Sequence, residues 1–229
     1  MNKLYSCCNK NHYNYLEDIF MKLMVIGSNG KAAKEIIKEA KSRGLEVVGV
    51  ARSANQNEGI AFIQKDLFDL TKEDLANVDV VIDAFGAWTP ETLPLHTESL
   101  KKLGDLVANT EKRLLVVGGA GSLYVDDSLT TQLFQTPDFP ESYLPVANAM
   151  GESLTYLRTR DDVRWTYVSP AADFQAEGKR TGDYLLAGEV FTVNDRGESA
   201  ISYEDYAIAM VDEAQKGHHV KERISVLAK

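Results

Sequence analysis

The stretch "VIGSNGKAAKEII", Val25–Ile37, joins a predicted strand to a predicted helix. Three of its small residues, Gly27, Gly30 and Ala33, follow the spacing G-x-x-G-x-x-A, a variant of the dinucleotide-binding fingerprint. The first glycine permits the tight turn, the second lets the backbone approach a pyrophosphate, and the alanine allows close helix packing. A phosphate would then lie against the free N–H groups at the positive end of the helix.

This loop therefore predicts a dinucleotide-binding site, and a bare strand–helix turn is the alternative. The predicted contact residues of the loop are Gly27, Ser28, Asn29, Gly30, Lys31 and Ala33. Lys31 opposes the helix dipole, so a nearby phosphate would explain its position in the first turn; a simply exposed lysine is the alternative.

Strands and helices alternate along the rest of the chain. Short apolar runs predict strands, as at 46–51, 78–86 and 113–122, and amphipathic stretches between such runs predict helices. This alternation is typical of an α/β fold with a doubly wound, mostly parallel sheet and helices on both faces. We see no linker that would split residues 21–229, so we predict a single NAD(P)-binding Rossmann domain over that range.

Several local predictions are less regular. The sequence "LTKEDL" at 70–75 predicts a brief helix capped by Thr71. Short strands are expected at 189–194 and 199–202. The stretch 123–143 contains Pro137 and Pro140, which predict an irregular loop.

The bulk composition excludes several classes of function. The formal net charge of −9 argues against nucleic acid as a partner, because phosphate binding needs a basic surface. No apolar run approaches the length of a membrane span. The histidines and cysteines show no metal-ligand spacing. Oligomeric state is left open.

The first 20 residues differ from the rest of the chain in composition. They contain both cysteines, Cys7 and Cys8, and a second methionine, Met21, directly precedes the first predicted strand. Two hypotheses fit residues 1–20: a translated leader before a natural start at Met21, or an N-terminal extension. The chain has no cysteine from residue 9 on, which favours a reducing cytoplasm.

The end of the second strand bears on the choice of cofactor. An acidic residue there would bind the ribose hydroxyls of NAD, but this chain has Arg52 and Ser53 and no acid before Glu58. A guanidinium can pair with the 2′-phosphate of NADP, so NADP is favoured over NAD. A solvated arginine is the alternative. Asp66 and Leu67 follow the third strand and are expected either at the adenine edge or as a helix or turn cap.

The fourth and fifth strands also end in candidate site residues. Ligands of such sheets bind beyond the carboxyl ends of the strands, which points to Ala84, Phe85 and Gly86. The fifth strand ends in "GGAGS", 118–122, where small residues such as Gly119 would leave room for a nicotinamide ring. A glycine-rich turn is the alternative there.

Five segments of the chain together resemble a known group: "VIGSNGKAAKEI", "VVGGAGSL", "WTYVSPAADF", "GKRTGDY" and "GESAISYEDYAIAMVDE". The chain resembles the NADH-flavin reductase group of the atypical short-chain dehydrogenase/reductase superfamily, which is related to NmrA-like proteins and to biliverdin reductase B. The resemblance implies a Rossmann fold, NAD(P) binding and hydride transfer to flavin. It also implies that Ser122 is a catalytic hydroxyl near the nicotinamide. It further implies that "GKRTGDY", 178–184, belongs to a small C-terminal part that covers the substrate.

One departure from typical short-chain dehydrogenases concerns their Tyr-x-x-x-Lys pair, in which the lysine lowers the pKa of the proton-donating tyrosine. None of the ten tyrosines here has a lysine four residues later; Tyr156 has Arg160 and is expected to be structural. Flavin reduction needs no such pair, because solvent can supply the proton and the protein positions the reactants. Candidate stacking surfaces for the flavin, each alternatively a packing residue, are Phe85, Trp88, Phe174 and Tyr184. His96 is expected on the surface.

These observations support an NAD(P)H-dependent oxidoreductase that reduces free flavin or a similar flat small molecule. A non-catalytic NmrA-like redox sensor is the main alternative. A sugar-nucleotide epimerase fits less well, because the tyrosine–lysine pair is missing and the C-terminal part is short.

Overall fold

The computed structural model of the protein describes residues 21–229. Within that range it contains four α-helices, α1 (Lys31–Ser42), α2 (Leu95–Val107), α3 (Leu144–Leu157) and α4 (Tyr203–Lys216). The same range contains ten strands: β1 (Lys22–Ile26), β2 (Glu46–Ala51), β3 (Ala61–Gln64), β4 (Val80–Asp83), β5 (Arg113–Val117), β6 (Arg164–Pro170), β7 (Asp173–Gln175), β8 (Leu185–Ala187), β9 (Ala200–Ser202) and β10 (Glu222–Leu227). The predicted leader or extension at 1–20 lies outside the described residues.

Eight of these strands form one sheet in the order β3-β2-β1-β4-β5-β6-β10-β8, and β7 pairs with β9 separately. All neighbours in the large sheet are parallel except β8, which runs antiparallel to β10. The chain reverses its direction of travel across the sheet between β1 and β4. This is the topological switch point, where a crevice opens beyond the carboxyl ends of the strands. The predicted Rossmann fold is confirmed.

Two apolar layers cover the sheet, one on each face. On one face, buried residues of α1 and α4, such as Ile36 and Met210, pack on strand residues such as Val25. On the other face, α2 and α3 contribute residues such as Leu103 and Leu154. The central strands are buried on both faces, so their sequences are continuous apolar runs rather than alternating ones.

Some local predictions were wrong. Residues 70–75 form a succession of turns rather than a helix, because Leu75 and Ala76 bond back to the residues three positions earlier. Thr71 does not cap a helix; its N–H donates to Asp74 at 2.9 Å instead. The expected strand at 189–194 is absent from the described sheet, and the strand in this region is the earlier β8.

The long stretch 123–143 is an irregular loop, as predicted, with two short 3₁₀ turns at Leu133–Gln135 and Glu141–Tyr143. Tyr124 forms isolated bridges to Gln132 and Val190. The bridge to Val190 holds the loop against the segment that follows β8, and the bridge to Gln132 lies within the loop.

The segment 178–184 packs along the seam between α1 and α4. Arg180 pairs with buried Glu39 of α1 at 2.9 Å, and the Tyr184 hydroxyl donates to Asp212 of α4 at 2.9 Å. These contacts tie the segment to the helices. They do not support its predicted role as a substrate cover.

Candidate cofactor-binding site

The glycine loop between β1 and α1 lies at the switch point of the sheet. Gly27 has φ of +71°, in the left-handed region that favours glycine. A Cβ at Gly27 would lie 2.8 Å from the carbonyl oxygen of Ala84, so only glycine fits this close approach. The Gly30 N–H donates to the Gly27 carbonyl at 2.8 Å and closes the turn.

The start of α1 is suited to an anion. Gly30 is the N-cap residue, no side chain caps the helix, and its first turn contains no acidic residue. The first N–H groups of a helix have no acceptor within the helix, so they point outward with the positive end of the dipole. Ala33 is 1% exposed, and its small side chain brings α1 close to the sheet. This arrangement fits a dinucleotide pyrophosphate.

The first turn of α1 also carries Lys31. Lys31 is exposed and makes no ion pair within residues 21–229. A bound phosphate would offset the unfavourable position of this cation near the positive helix end.

Asn29 joins the glycine loop to the loop that follows β2. Its Nδ2 donates to Ser53 Oγ at 3.0 Å and to the Ala54 carbonyl at 2.9 Å, while its Oδ1 accepts from the Gln56 N–H at 3.1 Å. The side-chain atoms of Asn29 are therefore engaged within the protein. The structure gives Asn29 and Ser53 a part in shaping the site rather than side chains free to bind a ligand.

A neighbouring contact reinforces that link between the two loops. Asn57 Nδ2 donates to the Ser28 carbonyl at 2.9 Å, and the side chain of Ser28 is fully buried. The Ser28 N–H donates to the Val50 carbonyl at 3.1 Å, so both backbone polar groups of Ser28 are also engaged, and its predicted ligand contact stays a prediction that these contacts do not favour.

Arg52 lies beside these joined loops, immediately after β2. Its side chain is exposed and makes no hydrogen bond or ion pair within residues 21–229; only its carbonyl is engaged, accepting from Gln64 Nε2. A guanidinium without a protein partner at this edge of the sheet is available for an anionic ligand.

Asp66 and Leu67 are explained by local structure. The Asp66 carboxylate caps a 3₁₀ turn, Leu67–Asp69, by accepting from the Phe68 N–H at 3.1 Å. Leu67 is buried in the apolar layer under α2. The structure shows Asp66 as a turn cap and Leu67 as a buried residue, and their contact with an adenine stays a prediction.

A buried carboxylate, that of Asp83, stabilises the backbone at the end of β4. Asp83 is 4% exposed; its Oδ1 accepts from the Phe85 N–H at 3.0 Å, and the Ser99 hydroxyl lies 3.4 Å from its Oδ2. Burial raises the pKa of Asp83 to about 6. Sequence reasoning missed this residue, although a carboxylate inside the apolar run "VVIDAF" was a visible signal.

His96 is also buried, so its predicted surface position was wrong. Its Nε2 lies 3.0 Å from the carbonyl oxygen of Ala87, and its ring meets Phe85 edge-on at 6.0 Å between centroids. Burial lowers the pKa of His96. Together Asp83 and His96 fix the backbone from Ala84 to Ala87, which includes the predicted contacts Phe85 and Gly86.

The glycines after β5 serve close packing. A Cβ at Gly118 would lie 2.2 Å from the ring of Tyr167, and one at Gly121 would lie 2.7 Å from Ala147 of α3. At Gly119, which is half-buried, a Cβ would lie 3.0 Å from the sulfur of Met150. The need for glycine at 118 and 121 follows from these contacts. A nicotinamide contact at Gly119 stays a prediction.

Ser122 has a protein partner. It is 3% exposed, and Arg223 of β10 donates to both its carbonyl oxygen, at 2.8 Å, and its hydroxyl oxygen, at 2.9 Å. Arg223 also pairs with Glu189. The geometry explains Ser122 as an anchor of the loop after β5, and its role as a catalytic hydroxyl stays a prediction that these contacts do not favour.

Tyr156 is tied into an ion network on α3, in line with its expected structural role. Arg160 donates to the Tyr156 hydroxyl at 2.7 Å and pairs with Asp105 and Asp162. The Tyr156 hydroxyl is therefore engaged by the side chain of Arg160.

A cavity of about 450 Å³ lies apart from this crevice. Its lining includes Trp165 of β6 and Arg223 of β10 and none of the predicted cofactor contacts. Residues 21–229 contain no cluster of three or more potential metal ligands. No helix in this range is long and apolar enough to cross a membrane.

The glycine cradle at the switch point defines a dinucleotide-binding Rossmann protein. A family model described as NAD(P)H-binding matches residues 27–216. The chain belongs to this NAD(P)H-binding family.

Individual relatives cover almost the same length. The Bacillus subtilis "Uncharacterized protein YwnB" is 47% identical over 211 residues, which is 91% of this chain and 99% of that protein. A solved structure from Streptococcus pneumoniae, described as a "putative NADH-flavin reductase", is 56% identical with a TM-score of 0.89 and covers 91% of this chain and 100% of that one. Another, from Bacteroides thetaiotaomicron and described as a "putative epimerase", is 33% identical with a TM-score of 0.80 and covers 91% and 97%. The resemblance to the NADH-flavin reductase group is confirmed.

Proposed function

We propose that the protein is an NAD(P)H-dependent oxidoreductase that prefers NADPH and transfers a hydride to free flavin or a similar flat acceptor. The observation that carries the proposal is the uncapped start of α1 behind Gly27 and Gly30, at the switch point of the sheet. The Streptococcus pneumoniae relative supports the choice of reaction. We place the reaction in the cytoplasm, in keeping with a chain that lacks cysteine from residue 9 on.

The preference for NADPH rests on Arg52. Its exposed side chain has no partner within residues 21–229, and no acidic residue occupies 52–57, where an acid would bind the ribose of NAD. The hydrogen bonds of Asn29 to Ser53 and Gln56 fix the loop after β2 relative to the glycine loop. A 2′-phosphate would give the guanidinium an anionic partner.

Hydride transfer from NADPH to a flavin does not require an ionisable side chain of the protein to donate a proton. NADPH supplies a hydride to N5 of the flavin, and water supplies the accompanying proton, so NADP⁺ and reduced flavin result. The chain's part is to hold the two reactants in register and to exclude water. A protein that only positions the reactants needs no proton-donating tyrosine. This agrees with the absence of a Tyr-x-x-x-Lys pair from the sequence and with the hydrogen bond from Arg160 to Tyr156.

The deciding experiment is NADPH consumption by the purified protein with and without excess FMN, with NADH as the comparison. We expect FMN-dependent turnover that favours NADPH. Absence of turnover with both nucleotides, despite binding, would refute the reductase function. It would favour a redox sensor, which the burial of Ser122 against Arg223 also fits.

A substitution tests the cofactor preference separately. We expect Arg52→Ala to weaken NADPH binding about tenfold or more, as expected for loss of a charge-assisted contact, with NADH binding changed less than about twofold. Arg164→Ala is the matched control, because Arg164 begins β6 at the opposite edge of the sheet and pairs with Glu111 there. Equal losses for both nucleotides in Arg52→Ala would contradict the assignment.

A further inference from the structure

Four aromatic side chains are candidates to stack on a flat acceptor, and three are occupied by protein contacts. The Phe174 ring lies 4.1 Å from that of Tyr203, between centroids, and packs on the apolar layer under α4. The Tyr184 hydroxyl bonds to Asp212, and Phe85 packs on His96. These contacts account for all three.

Trp88 differs from them in exposure. Its side chain is 72% exposed, whereas Trp165, the only other tryptophan in the chain, is 4% exposed. Burial normally accounts for a tryptophan, because its large apolar surface gains most from leaving water. The packing within residues 21–229 therefore does not explain why residue 88 is a tryptophan.

The backbone on both sides of Trp88 is held in place. Ala87 is buried, and its carbonyl oxygen lies 3.0 Å from His96 Nε2. On the other side, the Thr92 N–H donates to the Thr89 carbonyl at 2.8 Å, and the two hydroxyls lie 3.0 Å apart. A side chain presented on fixed backbone loses little entropy when a ligand binds, which favours a binding role.

The indole lies at the edge of the crevice. A Cβ at Gly86 would lie 3.3 Å from the Trp88 Nε1, so the indole rests along Gly86. Gly86 comes two residues after Ala84, whose carbonyl lies against Gly27 of the glycine loop. The segment 86–90, "GAWTP", contains no charged residue. Its chemistry suits an uncharged planar ring rather than a phosphate or a carboxylate.

We propose that Trp88 is the stacking platform for the planar ring of the acceptor, and that it selects fused aromatic ring systems of the isoalloxazine class. This inference rests on the proposed function. Recognition runs through the ring, so riboflavin, which has no phosphate, is expected to bind about as well as FMN.

The first test is tryptophan emission intensity, corrected for the absorbance of the flavin, because an indole stacked on a flavin in a ground-state complex does not emit. With saturating NADP⁺, which prevents turnover, riboflavin should quench the emission of the full chain. Trp165→Phe should keep that quenching, and Trp88→Phe should remove it. Full quenching of Trp88 by NADP⁺ alone, with no further effect of riboflavin, would overturn the proposal, because the indole would then cover the cofactor.

The second test is kinetic. Trp88→Ala should raise the KM for flavin about tenfold, as expected for loss of one aromatic stacking contact, and leave the KM for NADPH unchanged. Trp88→Phe should restore most of the affinity. Leu186→Ala is the control, because Leu186 is half-exposed on the edge strand β8. An unchanged flavin KM in Trp88→Ala would overturn the proposal.

Failure of the proposed function is distinguishable from failure of this inference. Calorimetric titration with NADP⁺ reports nucleotide binding without using Trp88. Loss of nucleotide binding would refute the oxidoreductase, whatever Trp88 does. Riboflavin quenching without turnover would keep the ring site and refute the hydride transfer.

Discussion

Replacing Asp83 by asparagine should make the protein more stable at neutral pH and leave it nearly unchanged at acidic pH. Asp83 is a carboxylate buried at the end of β4, with one good hydrogen bond, from the Phe85 N–H at 3.0 Å, and a longer one from Ser99 at 3.4 Å. Two contacts of this kind do not replace the hydration that the ionised group loses. Asparagine has nearly the same shape, can accept from the Phe85 N–H, and carries no charge.

The magnitude follows from the pKa. Burial raises the pKa of Asp83 from 3.8 to about 6. A difference of about two units between the unfolded and folded states corresponds to about 3 kcal/mol. Because the folded state binds the proton more tightly, this stabilisation is fully present below pH 3.8 and is lost as the pH rises through 6.

The assay is urea unfolding of both proteins at 25 °C across pH 4 to 7.5. The advantage of Asp83→Asn over the parent chain should grow by about 2.5 kcal/mol over this range, and taking the change with pH cancels any constant effect of the amide. Asp195→Asn is the control, since Asp195 is exposed, and its curve should parallel the parent. Parallel curves for Asp83→Asn would refute the reasoning.

Two further predictions concern packing and a buried ion pair. Gly118→Ala should destabilise the protein by about 1–3 kcal/mol in urea unfolding, because the new Cβ would lie 2.2 Å from the Tyr167 ring. The control Gly188→Ala, which has open space around it, should change stability by less than about 1 kcal/mol, and equal effects of the two variants would contradict the packing explanation. Glu213→Gln should lower the free energy of unfolding by about 3–5 kcal/mol in the same assay, because the buried guanidinium of Arg113 would lose its counter-charge. The two groups lie 2.5 Å apart in the parent chain, and a loss below about 1 kcal/mol would show that their ion pair is dispensable.

The local features of the site followed from the sequence because they are backbone properties of short segments. The spacing of Gly27, Gly30 and Ala33 identified the loop, since a tight turn before a closely packed helix needs small residues at those positions. The alternation of apolar runs with amphipathic stretches predicted the parallel sheet, because strands buried on both faces must be apolar throughout.

Features that depend on residues distant in the chain could not be predicted in this way. Asn29 has the pattern of a ligand contact, yet its amide binds the loop after β2, 24 residues or more away. Ser122 has the position of a catalytic hydroxyl, yet it meets Arg223, 101 residues further on. A side chain's partners depend on which segments the fold brings together.

The sequence by itself determined the fold class, the phosphate loop and the position of Arg52 at the end of β2, because each depends on local spacing and periodicity. The tertiary structure alone decided which small and aromatic residues are used for packing. In the folded protein Gly118 packs against the Tyr167 ring and buried His96 contacts the Ala87 carbonyl, whereas Trp88 is exposed. The physical reason is that burial depends on all the segments that cover a residue, whereas a sequence pattern reports only its neighbours along the chain.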